Sequence, residues 1–111
     1  MKILLTTKLP TEGFTGINQH ELIMPENSKF TYEELESLIH DADILIPTFD
    51  YKIDENLISK ASKLRLITNS GVGFNNIDLK AAKERNIIVT NTPDPVIEPT
   101  AEHAFTLMLS I

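Results

Sequence analysis

One ten-residue stretch narrows the folds open to this chain more than any other: Asn-Ser-Gly-Val-Gly-Phe-Asn-Asn-Ile-Asp at residues 69–78. A β-branched apolar run, Leu66-Ile67-Thr68, leads into it, and a helical pattern, Leu79-Lys80-Ala81-Ala82-Lys83-Glu84-Arg85, leads out. A strand, a glycine turn and a helix start make one βα unit. Glycine lets the backbone take left-handed or crowded conformations and come close to a ligand. N–H groups freed at such a turn, beside a helix N-terminus, form a natural anion seat. The expectation is a loop that holds the carboxylate of a small organic acid. The plainer alternative is a tight turn that needs glycine.

The remaining segments repeat the same alternation. Residues 2–7 read as a first strand, 20–24 as a short second and 43–48 as a third, whose almost continuous apolar run suits a strand covered on both faces. Thr31-Tyr32-Glu33-Glu34 has the capping-box pattern, with Leu35, Leu38 and Ile39 on one helical face behind it. Asp54 is placed to cap a helix to about residue 62 that buries Leu57, Ile58 and Ala61. Residues 65–69 form the fourth strand and 87–91 the fifth. Between them a helix over 78–85 ends at Asn86, a residue suited to a left-handed C-terminal conformation. Strands alternating with helices through short links form right-handed βαβ units. The expected architecture is an α/β, flavodoxin-like, doubly wound five-stranded parallel sheet in the order 2-1-3-4-5. Ligands bind such sheets off the carboxyl ends of the strands, which points to Thr7 and Lys8, Phe49 to Tyr51, Ser70 to Asn75 and Asn91 to Pro93.

Composition excludes several classes of function. Net charge is −6, from 16 acidic and 10 basic residues without a basic cluster, which argues against nucleic acid or an anionic membrane as partner. There is no cysteine, hence no disulfide, thiolate nucleophile or cysteine-based zinc site. The N-terminus is too short in its apolar run for a signal peptide, and a cytoplasmic location is the default. Gly71-Val72-Gly73-Phe74-Asn75-Asn76 begins like a dinucleotide fingerprint but lacks the third glycine, and the next strand ends at Asn91 without a ribose-binding acid. The histidines, His20, His40 and His103, have no second base or ligand beside them in sequence. Residues 101–111 are apolar nearly all round and stop without a capping signal, which suggests a chain cut inside a larger protein.

Residues 69–78, the run 81–93 ending in Asn91-Thr92-Pro93, and Thr100-Ala101-Glu102 stand in an order and spacing that resembles the D-isomer-specific 2-hydroxyacid dehydrogenases. The glyoxylate and hydroxypyruvate reductase or D-glycerate dehydrogenase branch is the most similar in feel. The resemblance implies a two-domain NAD- or NADP-dependent oxidoreductase. Residues 1–98 would be its substrate-binding (catalytic) domain, and 99–111 the start of an interdomain helix crossing to a missing nucleotide-binding domain. It implies that the backbone N–H groups of Val72 and Gly73, with Gly71 beside them, bind the carboxylate of a 2-keto or 2-hydroxy acid. It further implies that Val72 and Thr100 lie near the cofactor and that Phe49, Asp50 and Tyr51 border the variable end of the substrate. The family's catalytic Arg, Glu and His, and its dinucleotide loop, have no counterpart here. The 111 residues are therefore expected to bind no cofactor alone and to be inactive. Asp94, where the family often has glycine, and the stiff Pro95 and Pro99 depart from the pattern. A homodimer through the 101–111 helix is a further expectation. The rival is a free-standing flavodoxin-like module that binds a small acid or a protein partner without chemistry.

Overall fold

In the computed structural model, residues 1–12, 16, 19–92 and 108 are described. The Pro-rich link after Thr92, Thr100, His103, the boundary at residue 98 and, Met108 apart, the 101–111 segment with its expected dimer contact lie outside them.

Five strands run through the described residues: β1 (Lys2–Leu5), β2 (Glu21–Ile23), β3 (Ile44–Ile46), β4 (Leu66–Thr68) and β5 (Ile88–Thr90). Every neighbouring pair is parallel and the order is β2-β1-β3-β4-β5, as the alternation of elements implies. Three helices connect them: α1 (Tyr32–Leu38), continued by a 3-10 turn over Ile39–Asp41, α2 (Glu55–Ser59) and α3 (Leu79–Glu84).

The local signals act as the side chains dictate. Thr31 accepts from the Glu34 amide while the Glu34 carboxylate accepts from the Thr31 amide, which closes the capping box and starts α1. Asp54 and Asp78 cap α2 and α3 by accepting from the amides of Leu57 and Ala81. Asn86 takes φ 58° just past α3. Strands and helices are each shorter than their apolar patterns, because twist and the following turn remove the terminal residues from the ladder.

The core lies between one sheet face and the three helices. Leu4, Leu45 and Ile67 point into it and meet Leu35, Ile39, Leu57, Ile58, Ala81 and Ala82. Cover on both faces of β3, expected from its apolar run, is uneven: Leu45 is fully buried, whereas Ile44 and Ile46 on the opposite face are half-buried. The same period of two turns the next inward positions of β1 and β4 into Thr6 and Asn69, polar residues that are fully buried at the strands' carboxyl ends. That sheet edge gathers the loops after β1, β3, β4 and β5.

Candidate functional site

The loops after β3 and β4 are zipped together beyond the regular ladder. Isolated parallel bridges join Thr48 to Ser70 and Ile53 to Ile77. Ser70 N–H donates to the Pro47 carbonyl at 2.8 Å, and Ile53 N–H to the Asn76 carbonyl at 2.7 Å. The glycine loop is thereby a side-by-side continuation of two strands.

Three consecutive peptide units of this loop are held in a common way, each by its carbonyl. The Gly71 carbonyl accepts from the Thr92 amide at 2.9 Å and from Thr92 Oγ1 at 3.2 Å. The Val72 carbonyl accepts from Asn91 Nδ2 at 2.6 Å, and the Gly73 carbonyl from Asn69 Nδ2 at 2.5 Å. No peptide among the described residues is cis, so carbonyl and N–H of one unit point in opposite directions. Tying these carbonyls inward turns the N–H groups of Val72, Gly73 and Phe74 away from their tethers. None of these N–H groups donates to a partner among the described residues. Adjacent unpartnered N–H groups are what a carboxylate requires.

Of the reasons the sequence offers for glycine here, left-handed backbone is not the one at work. Neither Gly71 nor Gly73 has positive φ; among the described residues only Gly16 and Asn86 do. A Cβ on Gly71 would meet Phe49 Cβ and Asn69 Nδ2 at ordinary distances of 3.8 and 3.9 Å, and one on Gly73 would meet nothing within 4 Å. The backbone here does not require glycine for its own sake. What the missing side chain at Gly73 leaves is open approach from outside.

Around the loop, Phe49 is 75% exposed, Val72 50% and Phe74 46%, which puts apolar side chains on the rim. A cleft of about 160 Å3, lined by Phe74, Leu79, Val89, Thr90 and Asn91, runs along the β5 side. Asp50 lies behind Phe49. Its carboxylate accepts from Thr48 Oγ1 at 2.5 Å and faces Lys29 Nζ at 3.7 Å. The Thr48 hydrogen bond, with help from Lys29, holds its carboxyl below the usual range, so Asp50 is an anion at neutral pH and no proton donor. Tyr51 does not join Phe49 on the rim. Its ring belongs to the core and its hydroxyl donates to the Phe30 carbonyl, which leaves only its backbone carbonyl at the loop.

Thr7 is tied to Thr48 at 2.9 Å, between its Oγ1 and that of Thr48, and completes the floor. His20 sits beside the N-terminus, with Nδ1 3.3 Å from the Met1 amine, at the start of β2. His40 lies in the turn before β3. Both are therefore at the opposite sheet edge. No group of three metal-ligating side chains occurs among the described residues.

The residues that reading the sequence missed are Asn69, Asn76 and Thr48, which hold the loop rather than line it. The signal for Asn69 was available: it follows Ile67 by two, on the face that points into the core, where an amide must find partners. Nothing in the chain's pattern marks Asn76.

A five-stranded parallel sheet in the order 2-1-3-4-5, with helices between its strands, defines an α/β domain of flavodoxin-like topology. The model of the D-isomer specific 2-hydroxyacid dehydrogenase catalytic domain matches residues 3–106, and the chain belongs to that family. Glyoxylate reductase of Thermococcus kodakarensis is 35% identical over 111 residues, covering 98% of this chain and 33% of the reductase. The TT0316 protein of Thermus thermophilus superposes with a TM-score of 0.87 at 32% identity, covering 99% of this chain and 36% of that one. D-lactate dehydrogenase of Aquifex aeolicus, solved with NAD and lactic acid, gives a TM-score of 0.77 at 27% identity, covering 99% of this chain and 33% of that one. The chain thus spans about a third of the length of the relatives it matches.

Proposed function

We propose that residues 1–98 form the substrate-binding domain of an NAD- or NADP-dependent dehydrogenase acting on a D-2-hydroxy acid, and that 99–111 begin the crossing to its nucleotide-binding domain. The observation that carries this reading is the trio of inward-tied carbonyls at residues 71–73, which leaves the amides of Val72 and Gly73 to receive a carboxylate. Phe49 and Asp50, with the backbone of Tyr51, border the substrate's variable end. The half-exposed Val72 side chain presents an apolar surface towards the cofactor, and Thr100 adds to that side. Family membership and the NAD and lactic acid bound by the Aquifex enzyme agree with this assignment.

The described residues do not themselves make a dinucleotide site. The loop has two glycines, neither with positive φ, and β5 is followed by Asn91 where a ribose-binding acid would stand. In the complete protein NAD(P) supplies or accepts the hydride. This chain's part is to bind and orient the acid, and the described residues offer no group placed to move the proton. The 111 residues alone are accordingly inactive. In solution, two copies pair through residues 101–111.

The test adds NADH or NADPH with glyoxylate or hydroxypyruvate to the 111 residues and, separately, to the full reading frame that contains them. Turnover by the longer chain and none by the 111 residues is the expected result. Ordinary enzymatic turnover by the 111 residues, or a reading frame that ends at Ile111, overturns the proposal and favours a free-standing binding module.

A further inference from the structure

Behind the glycine loop two side-chain amides face each other. Asn69 Nδ2 donates to Asn76 Oδ1 at 3.2 Å, and Asn76 Nδ2 donates to Asn69 Oδ1 at 3.3 Å. Each amide then reaches a different segment. Asn69 uses the same nitrogen to tie the Gly73 carbonyl, in the carboxylate seat. Asn76 Nδ2 also donates to the Tyr51 carbonyl at 2.9 Å and is 3.4 Å from the Thr48 carbonyl, both in the loop that carries Phe49 and Asp50. Asn69 is fully buried, and no buried side-chain nitrogen or oxygen among the described residues is left without a partner. The network is therefore closed, and no water is needed to complete it.

We propose that the Asn69–Asn76 pair is a positioning device that couples the carboxylate seat to the loop bordering the substrate's variable end; this rests on the function proposed above. The reasoning is geometric. An amide is one of the few side chains that donates and accepts at once, so only two such groups can lock face to face and still reach carbonyls on both loops. The Gly73 carbonyl fixes the plane of the peptide that carries the Phe74 N–H, directly after the two seat amides, and so holds the loop at the seat's C-terminal side. The Tyr51 and Thr48 carbonyls fix the turn that projects Phe49. Because the tethers share one amide pair, movement of either loop disturbs the other. A seat built from backbone N–H groups has no side chain to adjust, so its aim depends on such support from behind. Neither asparagine touches the acid; each acts through the carbonyls it holds.

The experiment uses the intact enzyme carrying Asn69→Ala, Asn76→Ala or both. Each single change is expected to raise KM for the 2-keto acid, and Ki for its analogue oxamate, roughly ten- to a hundredfold. KM for the nicotinamide cofactor should stay within about twofold, since the pair serves only the acid's side of the cleft. The double variant should be no worse than the worse single variant, because one broken link already uncouples the loops. Multiplying effects, or an unchanged Ki in folded single variants, would overturn the proposal. A purely structural role would lower melting temperature and active fraction while leaving KM and Ki in place.

A second measurement avoids any folding defect. In the unmodified protein, the side-chain amide protons of Asn69 and Asn76 should exchange slowly and shift when oxamate is added. Fast exchange and unmoved signals would contradict the inference. If the unmodified enzyme neither binds oxamate nor reduces a 2-keto acid, the functional reading fails first and the inference with it. If it does both and the variants match it, only the coupling is wrong.

Discussion

The two edges of this sheet are both polar and are built on opposite principles. At the amino edge, Lys2 contacts Asp41 and lies 4.0 Å from Glu21, while Lys63 Nζ reaches Asp41 at 2.7 Å. These are charged groups in or near water, where ion pairs are screened and contribute little. At the carboxyl edge, Thr6, Asn69, Asn76 and Thr48 are neutral, mostly withdrawn from water and linked by hydrogen bonds into one network. Neutral buried networks are costly to leave half-satisfied, so they specify one geometry. Charge does stand at the carboxyl edge, in the exposed Asp50–Lys29 pair, but the side chains that tie the glycine loop to its neighbour are neutral.

The contrast is broken most sharply at Asn69. Replacing it by leucine keeps the volume but removes both hydrogen-bonding functions and leaves the Gly73 carbonyl and Asn76 Oδ1 without their Asn69 donor. A loss of about 1–3 kcal/mol in unfolding free energy is expected, measurable by urea denaturation. Thr6→Val is the milder case. It leaves the Thr48 amide, which now donates to Thr6 Oγ1 at 3.2 Å, without that partner, and should cost about 1 kcal/mol in the same assay. At the other edge Lys63→Met should leave the melting temperature at neutral pH within the reproducibility of a calorimetric scan.

The smallest effect sharpens the contrast through pH. Hydrogen bonds from Lys2 and then Lys63 lower the Asp41 carboxyl from 3.8 to about 2. A depressed carboxylate adds stability above its unfolded value and loses it as pH falls through the folded one. The melting temperature of the unmodified protein should therefore exceed that of Asp41→Asn slightly above pH 4. The difference should vanish as pH falls from about 4 towards 2. A difference that persists at pH 2 would mean that Asp41 acts by something other than its charge.

Much of this was open to reading in the chain, and the missing parts have physical causes. Thr31 and Glu34, Asp54, Asp78 and Asn86 act locally, within a turn of their own helices, so their roles follow from neighbours in sequence. The strand order follows from short connections and handedness. The placing of the glycine loop at the carboxyl edge follows in turn. The reason for its glycines stayed open between backbone conformation and close approach of a ligand; neither has positive φ, and which of the two a glycine serves depends on space that only the fold creates. The burial of Tyr51 and the pairing of Asn69 with Asn76 likewise depend on how two loops close over the sheet. Alternation could mark Asn69 as inward-facing, but it could not name its partner.

The central claim is that the backbone amides of Val72 and Gly73 receive a carboxylate. It is tested most directly by titrating the 15N-labelled intact protein with oxamate and following each backbone amide. The account predicts that Val72 and Gly73 show the largest, saturable downfield proton shifts, with the Ile88 amide, bonded to the Arg65 carbonyl at the start of β5, unmoved. Saturable shifts elsewhere, with Val72 and Gly73 unchanged, would contradict it.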